Sequence, residues 1–335
     1  MTDLLPQEYS SVVDAIHATF LCGLLISYFY YKRTNVSVGG SLAVGYLAAA
    51  LVHPVTVIFT IAAAFVAYLV IKFVVLRIWL PRPRQIFGIG LLVGIVLGAI
   101  WLAFSTFFVD EESIYANLSI VGVIIPGMLC NSFIKQGIKR TMLPMLWMVP
   151  GAAILGGLLA FLMKIIPGAS ISDYLFNSGG VSTAVLFTFS AASVLAAVTI
   201  QEGPLARFDL RTGGYVTVGL LLASLGHWQY SLAIVCVGLV VWGLGTWMSN
   251  SVALHGKDRF LVLVLSSAVL VTLSEYFIVA VTGVRLDGVQ NLVMVVLPAL
   301  IANDLIQHGP KRTGAGMALS AVLTGLVGGA LTAIF

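Results

Sequence analysis

A nineteen-residue apolar pattern occurs twice in this chain, and it constrains the fold more than any other feature of the sequence. The stretch VIIPGMLCNSFIKQGIKRT occupies residues 123–141, and VVLPALIANDLIQHGPKRT occupies residues 295–313. At an offset of 172 they share eight of nineteen residues, among them the proline, the asparagine and the final glycine with Lys-Arg-Thr. A fold for this chain must therefore accommodate the same apolar, proline-containing segment with a basic end in two positions.

The chain carries too few charges to cover a water-facing surface. Only 9% of its 335 residues are charged and 60% are hydrophobic, whereas about a quarter of the residues in a soluble domain are charged. The apolar runs are long and do not alternate as the strands of a membrane barrel do. The sequence therefore predicts an all-α polytopic membrane protein with about twelve transmembrane segments.

Twelve apolar segments approach the length that a bilayer crossing needs, about 17–25 residues. They lie near 14–31, 36–52, 54–76, 86–109, 117–134, 142–166, 180–200, 213–226, 229–252, 260–281, 289–306 and 314–334. The second and eighth are short and rich in glycine, and the fifth and eleventh are expected to be broken at their prolines. For these four segments a re-entrant loop remains an alternative to a full crossing.

The distribution of basic residues favours twelve crossings. Fifteen of the 17 Lys and Arg residues follow odd-numbered segments, and only Lys164 and Arg285 fall on the even side. Positively charged loops stay in the cytoplasm. The distribution therefore predicts cytoplasmic loops after the odd segments and places both termini on the extracytoplasmic side. Re-entrant second and fifth segments would put Lys32 and Lys72 on opposite faces and remove the bias.

A second recurrence extends the internal similarity. The glycine pair at 39–40, the Val-Gly pair at 44–45 and His53 recur at an offset of 174. Because six segments per half is an even number, both halves would insert the same way up, as parallel repeats. We predict a first repeat at 1–166, an extracytoplasmic linker at 167–180 and a second repeat at 181–335.

The repeated pattern is also the candidate functional site. Pro126 removes one backbone hydrogen bond, and inside a membrane the freed carbonyl must find another partner or water. Asn131 can bond across helices, Gly137 is expected to end the helix, and Lys139 and Arg140 put positive charge at the cytoplasmic mouth. Two interpretations remain open: a polar path or docking site to which both halves contribute, or a kinked helix with a packing asparagine and ordinary flanking bases. The candidate residues are Pro126, Gly127, Asn131, Gln136, Gly137, Lys139, Arg140, Pro298, Asn303, Asp304, His308, Gly309, Lys311 and Arg312.

Other polar residues in the spans are scarce. Glu275 lies deep in the tenth segment, where an ionisable group is often functional unless it lies near enough to the outer surface to be hydrated. Asp304 replaces Ser132 of the first half, so the two halves are not chemically equivalent. The sequence has no phosphate-binding loop and no metal-ligand spacing. We therefore expect no catalytic residue, no bound cofactor, no metal and no nucleic-acid partner for this chain.

A family resemblance rests on these motifs. A glycine-rich segment with Gly40, Gly45 and Tyr46, followed by Pro-Gly, Asn131 and the Gln-Gly at 136–137, resembles the membrane subunit of poly-γ-glutamate synthase, the CapC/PgsC family. The first half is similar over roughly 14–165. The second half matches more loosely and keeps Gly214, Gly219, Pro298, Asn303 and Gly309, with Ala299 and His308 in place of the family glycine and glutamine. Members of this family look like single units of half this size, so the chain resembles a tandem fusion of two.

The resemblance implies a role in a prokaryotic cell membrane beside a cytoplasmic, Mur-ligase-like amide ligase (CapB/PgsB-like) that binds ATP and Mg and joins glutamate through its γ-carboxyl. It also implies a membrane-anchored extracytoplasmic partner (CapA/PgsA-like) and an anionic polymer. This subunit, itself non-catalytic, would anchor the ligase and help to pass the polymer outward. The basic cytoplasmic face would attract a polyanion, and the same charges also set topology and contact anionic lipid.

Two other functions are compatible with this plan. A stand-alone secondary transporter also has two parallel halves of six segments, and it would need charged groups at mid-membrane for ion coupling. A purely structural membrane scaffold would tolerate leucine at Asn131 and Asn303. Fold alone does not choose among these functions.

Overall fold

The computed structural model describes residues 6–40, 42–52, 54–78, 80–105, 121–165, 183–251, 256–282 and 291–334. Within these ranges the regular structure is helical, and twelve helices correspond one to one to the twelve predicted segments. They are α1 (Pro6–Thr34), α2 (Ala43–Ala49), α3 (Pro54–Ile78, with a π-helical turn at Ile71–Val75), α4 (Pro83–Ser105), α5 (Val121–Gln136), α6 (Ile138–Ile165), α7 (Thr183–Gln201), α8 (Thr217–Ala223), α9 (Trp228–Ser251), α10 (Gly256–Thr282), α11 (Asn291–His308) and α12 (Pro310–Ile334).

Five of these helices contain stretches long and apolar enough to cross a membrane. The stretches are Pro54–Ile78, Ile138–Ile165, Ala184–Gln201, Ser231–Ser251 and Pro310–Thr332. Large apolar side chains such as Leu146, Leu158 and Trp247 are more than half exposed on them. An apolar outer face suits lipid and not water. The chain is therefore a helical membrane protein, as predicted.

The described residues form two compact units. The first, here the N unit, contains residues 6–105 and 121–165, and the second, the C unit, contains residues 183–334. The predicted linker at 167–180 lies outside the described residues. Within the N unit α1 packs on α2 and α6, and α5 packs on α3 and α4. Within the C unit α7 packs on α8 and α12, and α11 packs on α9 and α10. The two units thus share one packing order.

The second and eighth segments are helical only in part. The helix α2 has seven residues and the helix α8 also has seven, which is about 10 Å of rise and far short of the roughly 30 Å core of a bilayer. The chain before each helix is turned or extended and passes through left-handed backbone at equivalent positions, related by the same offset of 174. These positions are Asn35, Gly39 and Gly40 in the N unit and Asp209, Gly213 and Gly214 in the C unit.

The prediction that the fifth and eleventh segments are broken at their prolines is wrong. Pro126 lies inside the continuous helix α5, and Pro298 lies inside α11. A proline removes one backbone hydrogen bond of the helix. The helix around Pro126 stays continuous because it is buried against neighbouring helices. The chain is instead interrupted in the second and eighth segments. The predicted helix stop is confirmed, because Gly137 and Gly309 have φ of 87° and 82° and end α5 and α11.

Two glycines let the short helices lie directly on α1 and α7. A Cβ on Gly45 would come within 2.6 Å of the Phe20 carbonyl oxygen of α1. A Cβ on Gly219 would collide with the Phe189 carbonyl oxygen of α7. Tyr46, beside the first contact, packs against the Phe20 ring at a tilted angle with centroids 4.9 Å apart and is almost fully buried. This close packing fixes the place of each short helix against its neighbour, and with it the place of residues 35–40 and 209–214 before it, which we name the glycine segments.

Candidate functional site

The glycine segment and the proline-containing helix, two motifs far apart in the sequence, meet in the N unit. The Gln136 side chain, at the end of α5, binds both backbone polar groups of Ser37. Its Oε1 accepts the Ser37 N–H at 2.8 Å, and its Nε2 donates to the Ser37 carbonyl at 2.7 Å. A non-helical segment in a membrane protein has unpaired backbone groups that need such partners. We name this pair of hydrogen bonds the amide clamp.

The rest of the glycine segment packs on the same helix. Leu129 and Met128 of α5 lie against the positions where Gly39 and Gly40 would carry a Cβ. Ser27 of α1 donates a hydrogen bond to the Gly40 carbonyl at 3.4 Å. The segment is therefore enclosed between α1 and α5, so the predicted residues Gly40 and Gln136 belong to one local site.

The Pro-Gly step of α5 serves helix packing. Pro126 and Gly127 are both buried. A Cβ on Gly127 would meet Leu91 of α4 at 2.7 Å, and Gly90 of α4 lies next to Gly127 as well. Small residues allow two membrane helices to approach closely. One turn further along, the side-chain oxygen Oδ1 of Asn131 is buried and has no hydrogen-bond partner among the described residues.

The C unit holds its glycine segment by different residues. Arg211 stands where the N unit has Ser37, and His308 stands where it has Gln136. Arg211 Nη1 donates to Gln201 Oε1 at 3.0 Å, and Gln201 Nε2 donates to Thr212 Oγ1. The Thr212 hydroxyl in turn donates to the Gly214 carbonyl at 2.9 Å. In the C unit, this series of three hydrogen bonds, which begins at the buried Arg211, stands in place of the amide clamp.

The matching asparagines also differ. Asn303 Oδ1 accepts one hydrogen bond from Arg259 Nη2 at 3.4 Å and another from Gln307 Nε2 at 3.0 Å. Asp304 and His308 are partly buried on the same helix and both interact with neighbouring groups. The C unit therefore surrounds its asparagine with charged and polar partners, in contrast to the orphan Asn131 oxygen.

An ion pair joins the loop before α8 to the start of α12. The exposed side chains of Arg312 and Asp209 pair directly. Beside them the Arg211 N–H donates to the Arg312 carbonyl at 3.3 Å. The sequence motif predicted Arg312 as a site residue, but neither Asp209 nor Arg211 was recognised. The available signal was their position, since they match Asn35 and Ser37 at the offset of 174 that relates the two glycine segments.

Basic side chains gather at one end of each unit. In the N unit, the Tyr30 and Trp147 rings meet edge to face and Thr19 lies against Gly156. The helices α1 and α6 are therefore antiparallel, and the end of one lies beside the start of the other. The Ala67–Ile71 part of α3 packs on the last two turns of α5, so these helices end on the same side. The exposed basic residues at this end are Lys32, Arg33, Lys72, Arg77, Arg82, Lys135, Lys139 and Arg140.

The C unit has a similar basic end. The Arg211–Arg312 backbone bond places the loop after α7 beside the start of α12, and Arg259 places the start of α10 beside the last turns of α11. Lys311 and Arg207 are exposed there. Glu275 is far from this end, near the C-terminal part of α10, and its side chain lies outside the described residues.

Both units of the chain match one known protein family. The profile of the family described as "Capsule biosynthesis CapC" matches residues 22–142 and again residues 196–314. The two matches cover most of the chain, one in each unit. The chain belongs to the CapC family.

Two relatives carry the same name. The "PGA biosynthesis protein CapC" of Bacillus subtilis (strain 168) is 25% identical over 126 residues, which is 38% of this chain and 83% of the relative. The "Capsule biosynthesis protein CapC" of Bacillus anthracis shows the same identity over the same lengths. No solved structure matches the chain.

Proposed function

We propose that this chain is the membrane subunit of a poly-γ-glutamate capsule synthase, that it anchors a cytoplasmic ATP-dependent amide ligase, and that it helps to pass the anionic polymer across the cell membrane. The observation that carries the proposal is the CapC family match in each of the two units. The relatives' names, which refer to PGA and capsule biosynthesis, support the choice of product.

The arrangement that we propose is a tandem fusion of two family units. The shared helix packing and the six left-handed residues at an offset of 174 support it. Each unit would cross the membrane six times in the same orientation, with the glycine segment and its short helix together making one crossing. The antiparallel course of α2 along α1 supports this, since Gly40 lies by Ser27 and Gly45 lies by Phe20.

The basic ends are the proposed contact with the polymer and the ligase. A γ-linked glutamate chain carries one carboxylate per residue, so clustered Lys and Arg side chains raise its local concentration. Lys139, Arg140, Lys311 and Arg312 are the exposed candidates, because they follow the left-handed glycine in each unit, and Arg312 is already paired with Asp209. A cytoplasmic position for these ends agrees with the positive-inside rule.

The experiment uses the full chain, tagged and gently solubilised from its native membranes. We expect a Mur-ligase-like subunit to co-purify, and the material to convert ATP and labelled glutamate into a protease-resistant acidic polymer. A Lys139→Gln/Arg140→Gln/Lys311→Gln variant should lower polymer yield severalfold, and less so at high salt, because exposed charges are screened. Lys164→Gln, at the opposite end of α6, is the matched control and should leave the yield unchanged.

The outcomes separate the candidate functions. If the triple variant and the Lys164→Gln control give equal polymer yields, the basic ends do not contact the polymer. Absence of both a partner and glutamate incorporation would overturn the synthase proposal. A stand-alone transporter would then be tested by uptake into vesicles containing this chain alone.

A further inference from the structure

The C unit contains an arginine that is buried with no carboxylate bonded to it among the described residues. Arg211 is only 9% exposed. Its Nη1 bonds the neutral Gln201 amide, and its Nε has no hydrogen-bond partner in the part of the chain that the structure describes. A guanidinium carries five N–H donors. Burying this charge against one neutral acceptor is unfavourable, and buried charges in proteins are normally paired with an anion.

The two acids nearest in sequence are engaged elsewhere. Glu202, next to Gln201, accepts a hydrogen bond from the Tyr215 hydroxyl at 3.5 Å. Asp209 pairs with the exposed Arg312 side chain. Among the described residues, neither carboxylate is hydrogen-bonded to Arg211 or ion-paired with it.

A second unpartnered group lies on α12, the helix that contacts the Arg211 backbone. The Arg211 N–H bonds the Arg312 carbonyl, and the Arg211 backbone lies against Gly316 of α12. Thr313 stands between these two α12 residues. It is fully buried, and its hydroxyl has no hydrogen-bond partner among the described residues. In the N unit the equivalent Thr141 hydroxyl is satisfied, because it donates to the Gly137 carbonyl at 3.1 Å.

Further unpartnered hydroxyls lie on α7 and α12, two helices that pack on each other. Ser190 of α7 and Ser320 and Thr324 of α12 are fully buried, and their oxygens have no partner within the described ranges. At an offset of 172 the N unit has Met148 and Ala152 in place of Ser320 and Thr324. These two hydroxyls of α12 are thus specific to the C unit.

We propose that Arg211 and Thr313 form a carboxylate-binding site in the C unit, which takes the pendant carboxylate of a γ-linked glutamate chain. The proposal rests on the proposed function for the identity of the polymer. Guanidinium and hydroxyl donors bind a carboxylate by charge-assisted hydrogen bonds, with Arg able to present two parallel donors. The N unit fills the same place with Ser37 and the amide clamp, so only the C unit would bind the anion.

The test measures binding to the purified full chain in nanodiscs of zwitterionic lipid, which removes anionic headgroups as competitors. The probe is a short γ-linked glutamate oligomer, and its neutral methyl ester and inorganic phosphate are separate arms. We expect the oligomer to bind and to raise the melting temperature, and the methyl ester to do neither. Arg211→Gln should weaken oligomer binding by about tenfold or more, as the loss of a charge-assisted bond predicts.

Two further variants keep the test decisive if Arg211→Gln does not fold. Thr313→Val, which keeps the side-chain shape without the hydroxyl, should weaken binding severalfold. Lys164→Gln removes an exposed basic residue at the opposite end of α6, away from the basic ends, and should change binding less than twofold. Equal weakening by Arg211→Gln and Lys164→Gln, or oligomer binding unchanged in both Arg211→Gln and Thr313→Val, would overturn the proposal.

The binding test is independent of the synthase test. Phosphate binding with no preference for the oligomer would show a general anion site and would contradict the polymer assignment. Oligomer binding lost in Arg211→Gln would support the site even if no ligase co-purifies. Conversely, a working synthase whose purified membrane subunit does not bind the oligomer would reject the site and leave the proposed function intact.

Discussion

Asn35 and Asp209, which match each other at the offset of 174, both adopt the left-handed backbone conformation, with φ of 56° and 51°. Asn and Asp are the non-glycine residues that tolerate this conformation best. Both open the non-helical stretch that leads into a short helix, α2 or α8. In the C unit the Asp209 side chain also pairs with Arg312. The same local geometry is therefore kept in both units while the side-chain contacts around it differ.

The amide clamp should contribute measurably to the stability of the N unit. Gln136→Ala removes two partly buried hydrogen bonds to Ser37 and leaves its backbone groups unsatisfied, which we expect to cost about 2–4 kcal/mol. Thermal unfolding of the purified protein, followed by circular dichroism, is the measurement.

Gln307→Ala is the control for this prediction. Gln307 is exposed on α11 and bonds a side chain instead of an unpaired backbone. We expect it to cost less than about 1 kcal/mol. Equal melting temperatures for the two variants would show that the clamp does not hold the glycine segment.

The helix stop at Gly137 depends on backbone conformation and not on space. A Cβ at Gly137 would meet nothing within 4 Å, yet its φ is 87°. Gly137→Ala should therefore destabilise the protein by about 1 kcal/mol or more, because L-residues disfavour left-handed backbone. Gly151 in α6 has the same free space without a positive φ. Gly151→Ala should be neutral or stabilising by up to about 1 kcal/mol. Melting temperatures of the two variants that move in the same direction would contradict the prediction.

The contact between the short helices and α1 or α7 should tolerate no added methyl group. Gly219→Ala would force its Cβ onto the Phe189 carbonyl oxygen, and overpacking of this kind costs about 1–3 kcal/mol. Gly243→Ala in α9, where a Cβ meets nothing within 4 Å, is the control. The measurement is the yield of monodisperse protein and its melting temperature. A Gly219→Ala variant as stable as Gly243→Ala would show that α8 can shift away from α7.

The sequence was sufficient to predict the helical membrane class and the glycine that ends α5, because these depend on local hydrophobicity and backbone preference. It did not predict that Gln136 binds Ser37, since the two residues are 99 positions apart and no periodicity links them. It also overestimated the effect of Pro126. One lost hydrogen bond does not end a helix whose neighbours pack closely around it, so tertiary contacts outweighed the local preference.

The two asparagines of the repeated pattern should respond differently to the same substitution. Asn131→Leu removes a buried oxygen that has no partner among the described residues, so stability should stay the same or rise. Asn303→Leu deprives Arg259 and Gln307 of their shared acceptor and should cost about 1–3 kcal/mol. Comparing melting temperature with polymer yield separates a packing role from a functional one. If Asn131 lines the polymer path, Asn131→Leu lowers the yield without lowering the melting temperature. If it only packs, yield and melting temperature both stay at the level of the unmodified chain, and the polymer path does not depend on the asparagine of the N unit.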